Sequence, residues 1–186
     1  MPAYDPLSHR LPSFSSAIPV FLAGKDTPRD FLERGLDVLQ ARDAHIKAFV
    51  RHDADAARIA ADKATERYRA GSPLSPVDGM PFAVKDMYDT ADMATELGTP
   101  IHAGRRPEFD AAHVDALRRG GAVMLGKTVT SQFAIAGAGP TRNPFDATRT
   151  PGATSSGSAG AVGAAMVPVA TGSHSRGSVI RPAAYC

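Results

Sequence analysis

A single cysteine, Cys186, is also the last residue, so no intrachain disulfide can form. The fold must hold by burial and hydrogen bonding, and a reducing, cytoplasmic setting is expected. Tryptophan is absent, and no run of about 18 apolar residues occurs. The Ala159–Ala170 tract is too short and too weakly apolar to span a bilayer, so no membrane partner is expected. Residues 1–14 also lack the charged stretch and apolar centre of a signal peptide. The histidines 9, 45, 52, 102, 113 and 174 are scattered, with no H-E-x-x-H spacing. Neither a metal nor a cofactor is expected. No charge of either sign dominates: 21 basic against 19 acidic residues leave a net charge of +2. The short basic pairs Arg105-Arg106 and Arg118-Arg119 read as solvated faces, so nucleic acid is not expected to bind.

What remains is an ordinary globular composition, 43% hydrophobic and 22% charged, at a length of 186 residues that supports a sizeable core. Four prolines among residues 1–25 predict an irregular arm packing through Leu11, Phe14, Ile18 and Phe21. Thr27-Pro28 with Asp30 predicts a helix start, and Phe31, Leu32, Leu36 and Leu39 carry its buried face to about Ala41. His45–Val50 reads as a strand or extended connector. The alanine-rich stretch 53–70 predicts the clearest helix, closed by Gly71-Ser72-Pro73. Met80–Val84 and Ala122–Leu125 are continuous apolar runs of buried-strand type, separated by a helix over 110–119 that stops at Gly120-Gly121. A helix over 158–166 and a strand over 167–171 follow. Helices between continuous apolar strands define an α/β layered fold.

Gly121–Thr128 spells a phosphate-loop pattern, G-x-x-x-x-G-K-[ST]. Its four intervening residues, however, are the strand itself, so no loop is left to wrap a phosphate, and nucleotide binding is rejected.

Three features point to nucleophilic catalysis. Lys85 lies just past an apolar strand, where desolvation would let it act as a base. Residues 151–158, PGATSSGS, form a hydroxyl cluster bracketed by glycines. Ser178 follows a glycine in GSHSRGSVIRP, residues 172–182, and the backbone N–H groups of Ser175, Arg176, Gly177 and Ser178 can converge on an oxyanion. The first two have a plainer reading alone: a surface lysine, and a helix cap at Ser155 or Ser156. Other schemes fit worse. Gly157-Ser158-Ala159-Gly160 misses the G-x-S-x-G elbow, and the hydroxyls nearest His174 are its sequence neighbours.

Together with Gly79–Asp86, Gly126-Lys127-Thr128 and TRNP at 141–144, the tract 151–186 resembles the amidase signature family over roughly 27–186. The resemblance implies a mixed β-sheet core flanked by helices. It also implies an amidase working through an acyl-serine intermediate on a small amide or acyl-amide. By position it makes Ser178 the nucleophile, Lys85 the base and Thr154 the bridging hydroxyl, with a cis bond at Ala153–Thr154. Residues 175–178 become the oxyanion hole, and Ser155, Ser156, Ser158 and Arg181 take supporting places.

Against the family pattern, threonine replaces the bridging serine and Arg176 replaces a small residue. The chain also stops early, so residues 27–186 are expected to be the N-terminal part of an amidase domain after an arm over 1–26. The alternative is an amidase-like fragment with impaired catalysis. Expected partners are the amide substrate and either a second copy or an amidotransferase complex.

Overall fold

The computed structural model describes residues 13–135 and 137–186. Its centre is a four-stranded mixed sheet in the order β1-β3-β2-β4, formed by β1 (Phe49–His52), β2 (Pro81–Lys85), β3 (Val123–Thr128) and β4 (Val169–Ala170). β2 runs parallel to β3 and to β4, whereas β1 is antiparallel to β3. The helices are α1 (Phe14–Leu22), α2 (Pro28–Ile46), α3 (Ala54–Arg69), α4 (Ala112–Arg119), α5 (Ser156–Gly163) and α6 (Ile180–Tyr185). The expected mixed sheet flanked by helices is therefore the fold.

The two faces of the sheet meet different layers. Ala83, Val123 and Leu125 join Leu32, Leu36 and Ala161 in a core supplied by α2, α3 and α5. Phe82, Val84 and Met124 join Val114 of α4 in a second core. Both strands β2 and β3 are buried along their whole length, which is why their sequences are continuously apolar rather than alternating.

Several boundaries differ from the sequence expectations. The arm is not irregular over its described part: Phe14–Leu22 is a helix, even though Pro19 lies inside it. Both Pro19 and Ser15, whose carbonyl loses its partner, face solvent, so water can satisfy that group. Phe14 and Phe21 pack edge-on against Phe31, and Phe21 also against Tyr68, which holds α1 to α2 and α3. Leu11 lies outside the described residues.

α2 runs past Ala41 to Ile46, ending where Lys47 turns left-handed (φ 56°). The Asp43 carboxylate accepts the N–H groups of Ala48 and Phe49, so helix exit and strand start share one anchor. β3 extends three residues beyond Leu125, and β4 is shorter than 167–171. α3 starts at Ala54 rather than at Asp53, which instead caps it by accepting the Ala56 N–H at 2.9 Å.

Thr27 caps α2 by accepting the Asp30 N–H at 3.0 Å. Thr27→Ala is expected to cost about 1 kcal/mol, read as a lower urea midpoint at unchanged slope.

Candidate active site

The parallel strands β2, β3 and β4 all point their carboxyl ends the same way, and the chemistry-bearing residues collect there, as in open α/β sheets generally. Lys85 closes β2, Thr128 closes β3, and the segment 171–178 leaves β4. α5 brings the hydroxyl cluster. It approaches the sheet closely because its residues are small: a Cβ on Gly157 would collide with the Val129 nitrogen and the Ala48 carbonyl oxygen. This is the physical use of the glycine- and serine-rich tract.

Lys85 is fully buried, yet meets no carboxylate among the described residues. Its Nζ donates to Thr154 Oγ1 at 2.8 Å, Ser155 Oγ at 2.9 Å and Ser173 Oγ at 2.7 Å. Burial without a counter-charge disfavours the ammonium and pushes its pKa down from 10.5 to about 8. The side chain is thus about one tenth neutral at pH 7 and about half neutral at pH 8, with hydroxyls already in reach. The surface-lysine reading is excluded.

Ser155 stands at the N-cap of α5, but its hydroxyl makes no cap bond and is turned to Lys85. Its N–H donates to the Ser178 carbonyl at 3.3 Å, bringing residue 178 beside the cluster. Ser178 is buried, and its hydroxyl bonds to no other described residue. The N–H groups of Ser175, Arg176, Gly177 and Ser178 donate to no acceptor among the described residues. Gly177 has φ +91°, and a Cβ there would lie 2.8 Å from Arg181 Nε. The bend that carries these amides therefore needs glycine.

The supporting residues divide. Ser158 ties α5 to the sheet, donating to the Thr171 carbonyl at 2.7 Å and meeting Thr128 Oγ1 at 2.8 Å. Ser156 is buried, its hydroxyl without a partner among the described residues. Arg176 and Arg181 are exposed. His174 accepts the Val179 N–H at Nδ1, 3.2 Å away, which braces the loop rather than a serine. All peptide bonds of the described residues are trans, Ala153–Thr154 included, so the implied cis bond is not found. Thr154 Oγ1 reaches Lys85 from a trans backbone.

Two contributors were not singled out from sequence: Ser173, the third acceptor of Lys85, and Thr171, whose Oγ1 accepts the Lys85 N–H at 3.1 Å. Their only signal is the pairing of Phe82 with Val169 and Ala83 with Ala170, which no local pattern encodes. Gly126–Thr128 lies in β3, with its backbone in the sheet ladder, and is not a phosphate loop. Beside Ser155 opens a cavity of about 410 Å³, walled by Phe145, Val162, Val179, Pro182 and Cys186. Among the described residues no helix is long and apolar enough to cross a membrane, and no cluster suits a metal.

At the carboxyl ends of the parallel strands a buried lysine thus meets three hydroxyls, with Ser178 tied to Ser155 through its backbone carbonyl. Residues 30–186 match the family model described as Amidase, and the chain belongs to that family. It is similar to a glutamyl-tRNA(Gln) amidotransferase subunit of Chloroflexus aggregans, 38% identical over 178 residues, covering 92% of this chain and 36% of that protein. The corresponding protein of Acidothermus cellulolyticus is 43% identical over 155 residues, covering 80% and 31%. Among solved structures, the native peptide amidase of Stenotrophomonas maltophilia superimposes with a TM-score of 0.86 at 32% identity, over 92% of this chain and 38% of that one. A fatty acid amide hydrolase shares the fold, with a TM-score of 0.89 at 21% identity, over 98% and 33%. The chain thus spans roughly a third of the length of these relatives.

Proposed function

We propose that the protein is an amide hydrolase that acts through an acyl-serine intermediate on a small amide. The observation that carries this reading is the buried, uncompensated Lys85 with Thr154 and Ser155 in hydrogen-bond reach. Neutral Lys85 accepts a proton from Thr154 or Ser155, which in turn accepts one from Ser178 Oγ. The oxygen attacks the amide carbonyl, and the oxyanion rests on the amides of 175–178. The C–N bond then breaks, the leaving nitrogen regains a proton through the same relay, and water hydrolyses the ester to release the acid.

The apolar walls of the cavity beside Ser155 favour an uncharged acyl group of modest size. Because curated relatives are named as components of an amidotransferase, a partner protein of that kind is proposed ahead of a second copy of the chain.

One observation favours the second reading, an impaired amidase-like chain: the Ser178 hydroxyl is not bonded to the relay. Catalytic hydrogen bonds often tighten only when substrate binds, which keeps the hydrolase reading first.

Trapping the acyl-enzyme separates the two. With short primary amides and hydroxylamine as acceptor, the protein is expected to form hydroxamate and Ser178→Ala none. No hydroxamate from the parent, or equal amounts from the variant, overturns the amidase reading.

A further inference from the structure

The sheet holds a second fully buried lysine, Lys127 on β3, that the mechanism above does not use. The parallel register of β2 and β3 slips between Phe82 and Ala83, so that Ala83 sits opposite Gly126 and Leu125 has no partner on β2. One extra residue reverses which face the following side chains take. Leu125 therefore packs with Ala83 on the α5 side, whereas Lys127, opposite Val84, falls on the α4 side, away from Lys85.

There its Nζ lies 3.3 Å from Asp86 Oδ1 and donates to Thr95 Oγ1 at 2.6 Å and to the Tyr88 carbonyl at 2.8 Å. The contacts enclose one turn. The Lys85 carbonyl accepts the N–H groups of Met87 and Tyr88, at 2.7 and 3.0 Å, and the Asp86 N–H donates to the Thr128 carbonyl. The Asp86 carboxylate also accepts the Glu96 N–H at 3.2 Å. Lys127 thus grips both ends of the tight turn that begins at Lys85. The Tyr88 hydroxyl carries the tie to the Gly172 carbonyl, 3.3 Å away, at the root of the loop that bears Ser178. A buried ion pair is poor value for stability alone, because desolvation offsets much of its attraction.

We infer that Lys127 and Asp86 are positioning residues, which fix the 85–88 turn from the far face of the sheet and so aim Lys85 at the Thr154–Ser155 hydroxyls. The inference rests on the amide-hydrolase reading of the site.

Asp86→Asn with Lys127→Met tests it in the full chain. Removing both charges leaves no unpaired buried ion, so the fold is expected to survive. Lysine labelled with ¹³C at Cε gives Lys85 a resonance identified by its loss in Lys85→Met. In the double variant this resonance is expected to shift. The rate at which a fluorophosphonate modifies Ser178 is expected to fall about a hundredfold, the scale of a misplaced catalytic group. An unmoved Lys85 resonance with an unchanged labelling rate overturns the inference, because a purely structural pair would be dispensable once neutralised.

Should the double variant unfold, Thr95→Val removes only one contact of Lys127. It is expected to shift the same resonance less, and no shift overturns the inference. Failure of the parent to react at Ser178 would reject the hydrolase reading instead, leaving the resonance to decide the role of the pair.

Discussion

Lys85→Met is expected to slow the reaction of Ser178 with amides or fluorophosphonates by about 10²–10⁴-fold at pH 8, the usual worth of a positioned general base. The same change is expected to stabilise the fold. In the folded chain Lys85 loses its proton near pH 8, whereas in the unfolded chain it does so near 10.5. Between those values the unfolded state binds more protons, so the stability of the parent rises with pH across the window, and the burial penalty is fully present below it. The shift corresponds to a penalty of about 3 kcal/mol, and loss of three hydrogen bonds offsets part of the gain on removing the ammonium. Lys85→Met should therefore be up to about 1.5 kcal/mol more stable at pH 6, with the difference shrinking toward pH 10. Paired urea titrations at the two pH values measure both the sign and the trend.

Gly157→Ala is the second large effect. Its methyl group would strike backbone atoms of Val129 and Ala48, which are themselves hydrogen-bonded at 2.9 Å and have no free rotamer to give way. α5 would have to lift from the sheet, at a cost of about 3 kcal/mol or more. Because α5 begins at the hydroxyls that meet Lys85, the reactivity of Ser178 should fall with the stability. Denaturant midpoints and labelling rates taken on one sample check the coupling.

Local chemistry made much of this structure legible in advance. Thr27-Pro28 announces a helix start through a capping group that acts within one turn, and Gly120-Gly121 ends α4 for equally local reasons. The buried strands showed as continuous apolar runs. Lys85 stood out by its place after an apolar strand, Thr154 and Ser155 took their places from the resemblance to the amidase signature family, and the structure brings all three within hydrogen-bond distance.

What stayed hidden depends on tertiary pairing. Ser173 reaches Lys85 only because β4 lies beside β2. Lys127 faces away from Lys85 because of a one-residue slip at Leu125. α1 forms despite Pro19 because Phe31 and Tyr68, distant in sequence, hold its aromatic face. The trans Ala153–Thr154 bond is likewise a property of this chain that the family pattern did not supply.

Activation of Ser178 by a neutral Lys85, as proposed, makes the reactivity of the serine follow the protonation of the lysine. The most direct measurement is the pH dependence of fluorophosphonate labelling, with the modified residue mapped by peptide mass. The expected result is one adduct, on Ser178, forming at a rate that rises with pH through a midpoint near 8 as Lys85 loses its proton. An adduct elsewhere, or a rate at Ser178 with no inflection near 8, contradicts it.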